Sequence, residues 1–111
     1  MTFGQVIAEA RKKAGLNQRE IANLIRKEDG EPISQPYLND IEHDRRNPPS
    51  DTLIEQFAIA LKVPSDILYY WAGRLPPNLR NLHIKAETIV AGFNAFRKAT
   101  GPQTQRTRKR E

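Results

Sequence analysis

The run ISQPYLNDIEHDRRNPPS, Ile33 to Ser50, sets the amides Gln35 and Asn39, the phenol of Tyr37, the carboxylate of Asp40 and the imidazole of His43 around few apolar residues. It closes on Arg45, Arg46, Asn47 and a proline pair. A carboxamide carries a donor and an acceptor side by side, a carboxylate only accepts, and a guanidinium only donates. Such a set suits hydrogen bonding to a polar partner, although a polar helix face is ordinarily just solvated. It does not suit turnover. The chain holds no cysteine, and His43 and His83 are too few for a zinc centre. Nor is there a phosphate-cradling glycine loop or a nucleophile with a base beside it. The sequence predicts no enzyme, no metal site and no cofactor.

The elements that position these residues must come from a short chain. With 111 residues and 38% hydrophobic content, there is room for one small core plus an appendage. The net charge of +5 is unevenly placed: residues 1–75 carry ten Lys/Arg against eleven Asp/Glu, and residues 76–111 carry eight against two. Much of the excess lies in GPQTQRTRKRE, residues 101–111, a basic tail without apolar periodicity that reads as disordered when alone. It is either a solvated terminus or a source of non-specific phosphate contacts. No apolar run approaches the ~20 residues of a membrane span, and Met1-Thr2-Phe3-Gly4 begins a helical pattern rather than a signal peptide. The expected location is cytoplasmic, without membrane contact.

Helix signals punctuate the first 75 residues. Thr2 with Gln5 forms a capping box for a first helix with the stripe Phe3, Val6, Ile7 and Ala10, ending at Gly15. Asn17 with Glu20 opens a second helix carrying Ile21, Leu24 and Ile25. The polar stretch RKEDGEP follows as a loop, and Ser34 caps a third helix with Pro36 in its first turn. Ser50 caps a fourth, striped by Leu53, Ile54, Phe57, Ala58 and Leu61, and Ser65 starts a fifth that Gly73 can end. No stretch alternates with period two, so no sheet is expected.

GLNQREIANLI followed by ISQPYLNDIEHDRRNPPSDTLIEQFAIALKVPSDIL closely resembles the phage-repressor and Cro (XRE) family of helix-turn-helix DNA-binding regulators over about residues 3–73. The resemblance rests on Asn17-Gln18, Ala22 between apolar neighbours, the Ser34 cap, Leu38, Ile41-Glu42 and the Asn-Pro linker before the fourth helix. It implies an all-α fold: a five-helix domain over residues 1–75, then a connector and C-terminal helix over 76–100, then the basic tail. The departure is at Arg26–Pro32, where the family has only a short turn. Either the second helix is longer or a loop projects toward the DNA backbone.

The resemblance also assigns roles. Helix 34–43 is expected in the major groove, with Gln35, Tyr37, Asn39 and Asp40 at base edges; an amide can bond N6 and N7 of adenine together, and Asp40 can accept from cytosine or repel a wrong site. Gln18, Arg19, His43, Arg45, Arg46 and Asn47 are expected at phosphates, with Gln18 also able to brace Gln35. Glu42 turns inward and should pair with Arg11. Tyr69, Tyr70 and Trp71 favour packing over base stacking.

In the C-terminal helix, predicted over about 85–99, Ile89, Val90, Phe93 and Phe96 share one apolar face with Ala86. That face either covers its own domain or pairs with a second chain. The expected function is a sequence-specific DNA-binding transcriptional regulator, a repressor acting as a homodimer on double-stranded DNA. The alternative is an antitoxin-type protein that binds a partner protein and autoregulates through the same domain.

Overall fold

The computed structural model describes residues 1–102, which form seven helices and no strand beyond one isolated bridge. They are α1 (Phe3–Lys13), α2 (Gln18–Leu24), α3 (Gln35–Glu42), α4 (Asp51–Leu61), α5 (Ser65–Ala72), α6 (Pro77–Arg80) and α7 (Ala86–Thr100). The chain divides into two compact units, Met1–Arg80 and the residues from Asn81 onward. No helix among the described residues is long and apolar enough to cross a membrane. The basic tail lies outside the described residues from position 103.

The caps follow the predicted chemistry. Thr2 and Gln5, and Asn17 and Glu20, close reciprocal capping boxes on α1 and α2, while Ser34 and Ser50 accept from Tyr37 N and Leu53 N. Each satisfies an N–H with no partner inside the helix and stabilises its start by about 1 kcal/mol. α5 differs: Ser65 is its first helical residue, and Pro64 occupies the cap position without a side-chain bond.

The first unit is organised around Phe3 and Ile7 from α1, Ile21 from α2, Leu38 and Ile41 from α3, Ile54, Phe57 and Leu61 from α4, and Leu68 and Tyr69 from α5. Burying each such side chain stabilises the fold by roughly 1.5–3 kcal/mol before entropy is counted. Tyr69 is fully buried yet satisfied, because its hydroxyl donates to Glu55 at 2.8 Å. Leu24, placed on the core stripe from spacing alone, is 56% exposed. The helix stops there. Ile25 takes an extended conformation (φ −102°, ψ 126°) and is buried as a strand-like residue rather than as the next turn of a helix.

The enlarged turn is a miniature hairpin, not a longer helix. Ile33 N donates to Ile25 O at 3.0 Å, Lys27 N donates to Glu31 O at 2.8 Å, and Arg26 bridges Pro32 between them. Gly30 turns the tip at φ +88°, where a side chain would be strained. Gln56 on α4 pins the base, its Oε1 accepting from Arg26 N at 2.7 Å and its Nε2 donating to Arg26 O at 2.9 Å. Ile25 and Ile33 at the two ends are both buried.

Two further ties shape this unit. Gly4 sits where α1 meets the C-terminal end of α3: a Cβ there would collide with the carbonyl oxygens of Ile41 and Glu42 and lie 2.8 Å from Asp44 Oδ1. Asp44, itself at φ +58°, accepts from Gly4 N at 2.9 Å and from the Thr2 hydroxyl, so the second residue beyond α3 caps the start of α1. The segment read as a plain connector contains α6. Arg80 at its end donates to Asp51 at 2.8 and 3.2 Å, and Arg74 donates to Asp51 at 3.1 Å and to Pro48 O at 2.9 Å. These two arginines, Arg80 foremost, hold the Asp51 carboxyl below its ordinary pKa range.

Candidate nucleic-acid interface

α3 presents two faces because 3.6 residues make a turn. Leu38, Ile41 and Glu42 are buried; Gln35, Pro36 and His43 are exposed, and Tyr37, Asn39 and Asp40 are half-buried. Gln35 opens the helix directly after its Ser34 cap, and Gln18 opens α2 after its Asn17 cap. The two helix starts meet through amides.

Gln18 is the hub. Its Nε2 donates to Glu42 Oε1 at 3.0 Å and to Asn39 Oδ1 at 3.1 Å, while its Oε1 lies 3.4 Å from Gln35 Nε2. Behind it stands the predicted ion pair: Arg11 Nε and Nη2 reach the two Glu42 oxygens at 2.6 and 2.9 Å, and Arg11 Nη1 donates to Leu16 O at 3.0 Å. The Glu42 side chain is only 3% exposed. Its hydrogen bond raises the Arg11 pKa above the ordinary guanidinium value, against an opposing contribution from burial.

The cationic residues lie beyond the helix. Arg45 Nη1 and Arg46 Nε approach opposite oxygens of Asp40 at 3.2 and 3.8 Å, and the Arg46 guanidinium stacks 4.7 Å over the Tyr37 ring. Exposed pairs of this type are worth at most about 1 kcal/mol, so they orient the arginines without locking them against a stronger anion. Tyr37, Arg45 and Arg46 line a shallow polar cleft with Asp44, Asn47, Pro48 and Pro49. His43 ends α3, its Nδ1 2.8 Å from Asn39 O. Arg19, beside Gln18, is exposed.

Gln18, Gln35 and Asn39 are therefore brought together, and Tyr37, Asp40, Arg45 and Arg46 form a second group. Spacing could not reveal that Asp40 and Tyr37 are already engaged by the two arginines; the i and i+5 positions of Asp40 and Arg45 face each other only because Asp44 turns the chain left-handed between them. The Gln18–Glu42 bond was also missed. Its one signal in the sequence was the inward turn of Glu42, which left an acceptor oxygen needing a donor besides arginine.

Ile89, Val90, Phe93 and Phe96 lie together on α7, each about half exposed, and α7 buries none of its residues. Tyr70 and Trp71 pack edge to face, 5.1 Å apart, within the first unit.

Comparison with known proteins finds relatives of this chain. Two curated relatives from different strains of Mycobacterium tuberculosis, both described as uncharacterized HTH-type transcriptional regulators, are each 35% identical over 75 residues, 68% of this chain. The chain spans about half of their length, 49%. A solved structure titled SinR protein/SinI protein complex superposes with a TM-score of 0.50 at 20% identity, over 99% of this chain and 100% of that one, a likeness of fold. The helix-turn-helix family description matches residues 7–68, from α1 into α5. The chain belongs to the helix-turn-helix family, in keeping with its resemblance to phage repressors and Cro.

Proposed function

We propose that this protein is a sequence-specific DNA-binding transcriptional regulator and not a catalyst, acting in the cytoplasm as a repressor with α3 in the major groove. The observation that carries the reading is the paired opening of α2 and α3. Gln18 and Gln35 open two adjacent helices and meet Asn39 one turn further along α3, with Gln35 exposed and Asn39 half exposed. Helix starts favour phosphate, and amides suit base edges. Arg19, Arg45, Arg46 and Asn47 supply the positive and polar rim that positions a duplex without reading it.

The test is direct. Gln35→Ala or Asn39→Ala should cost about 1–3 kcal/mol on a site selected from random duplexes and leave binding to unrelated duplexes nearly unchanged. Equal losses on both, measured by fluorescence anisotropy at fixed salt, would remove these residues from base contact.

One α3 spans only a few base pairs, and selectivity normally needs two half-sites a helical turn apart. A homodimer formed through Ile89, Val90, Phe93 and Phe96, a larger apolar stripe than a solvated helix face requires, would supply the second half-site reader. Phe93→Asp should convert a dimer to a monomer in sedimentation while residues 1–75 stay helical by circular dichroism. Affinity should fall for a palindrome and persist for a half-site. A wild-type chain that is monomeric at micromolar concentration and dimeric only with a co-purified protein would instead support the antitoxin-type reading.

A further inference from the structure

The two amides that face a duplex under the proposed function are not free to present either end. Glu42 is salt-bridged to Arg11 and nearly enclosed, and carboxylate oxygens only accept hydrogen bonds. The Gln18 amide edge that touches Glu42 Oε1 must therefore be its Nε2, as observed at 3.0 Å. That same Nε2 lies 3.1 Å from the Asn39 side chain, so the Asn39 atom turned toward it must be the acceptor Oδ1. The opposite end of Gln18 is then Oε1, which selects the donor Nε2 of Gln35. One fixed charge thus sets the sense of three carboxamides in series. Without it, each amide could reverse at little cost, because oxygen and nitrogen occupy nearly the same space.

Resting on the DNA-binding reading above, we infer that Glu42 is a specificity-determining positioning residue, which sets through Gln18 the hydrogen-bonding sense that Asn39 and Gln35 offer to bases. Glu42 touches no base itself. With its Oδ1 held by Gln18, Asn39 keeps both Nδ2 donors without a partner among the described residues. It therefore favours a base edge rich in acceptors, guanine with N7 and O6 foremost, and disfavours cytosine, whose major-groove edge presents an amino donor. Gln35 keeps Oε1 as an acceptor for an amino group. The Arg11–Glu42 pair accordingly does more than hold α1 to α3, since its charge is relayed as polarity to the reading surface.

The test is selection of duplexes from a random pool by the full chain, comparing the wild type with Glu42→Gln and Gln18→Met. The base pair read by Asn39 is located as the position at which Asn39→Ala loses preference. In Glu42→Gln, residue 42 can offer Gln18 either an oxygen or an amino group, so the series can reverse. Discrimination at that position should fall on the order of tenfold, while affinity for random duplex and its salt dependence stay at the wild-type level. Gln18→Met leaves the Arg11–Glu42 pair intact, so it tests the relay even if Glu42→Gln fails to fold. It should show the same loss of discrimination, together with a uniform loss on all duplexes if Gln18 also meets a phosphate. Wild-type preference for cytosine at that position, or undiminished discrimination in a folded variant, overturns the inference alone. A wild type that enriches no sequence overturns the DNA-binding reading, and the inference with it.

Discussion

Replacing Gly4 by alanine should lower the stability of residues 1–80 by about 3 kcal/mol, at the upper end of what overpacking costs. The new Cβ would meet the backbone oxygens of Ile41 and Glu42, which cannot swing aside as a side-chain tip can. Relief requires α1 to move off the end of α3, which also breaks the Asp44 cap on Gly4 N. For a domain of this size the melting temperature should fall by more than 10 °C, at about 4–8 °C per kcal/mol. Affinity for a cognate duplex should fall with it, since α3 loses a support. Gly92→Ala is the control: beyond its own helix backbone and chain neighbours, nothing among the described residues lies within 4 Å of the added Cβ, and alanine favours a helix interior, so it should be neutral or stabilising by about 0.5–1 kcal/mol. If Gly4→Ala melts like the wild type, α1 does not approach α3 as closely as described.

Arg11→Met should be comparably harmful, costing about 3–5 kcal/mol, because it leaves a nearly enclosed carboxylate whose one remaining partner among the described residues is the neutral Gln18 amide. The loss of the bond to Leu16 O loosens the turn into α2 as well. Pairing Arg11→Met with Glu42→Leu removes the stranded charge, so the double variant should be more stable than Arg11→Met alone. Denaturant melts of the four proteins give the coupling directly, and a sum equal to the two single losses would show that the pair is not a unit.

Much of the fold was legible because local chemistry and tertiary packing agree at the helix starts. Thr2, Asn17, Ser34 and Ser50 each announce a helix with a side-chain oxygen that has one favourable use, and the structure puts it to that use. The stripe of α4 was equally plain, since Ile54, Phe57 and Leu61 can share a face only in a helix. Leu24 and Ile25 show where this reasoning gives out: both fit the helical period, but the chain leaves the helix between them, and pairing with Ile33 decides which one is buried. α6 escaped notice because four residues are too few to carry a period. Its place depends on Arg80 reaching Asp51, 29 residues away in sequence.

At the interface, outward and inward positions on α3 followed from its wheel, including the inward turn of Glu42. The partners of outward residues did not. Whether Asp40 accepts from a base or from Arg45, and which end of Asn39 Gln18 holds, depends on distances between elements that no spacing rule supplies.

The hairpin between α2 and α3 separates length from geometry. Its base is closed by Ile25 and Ile33 and clasped by Gln56, so the angle at which the two helices meet is decided at the base. The tip around Asp29 and Gly30 is exposed and bears no part of that constraint. Residues can thus be gained, lost or exchanged at the tip over evolutionary time without retuning the angle between α2 and α3, and an engineered epitope or reporter has a natural point of attachment there.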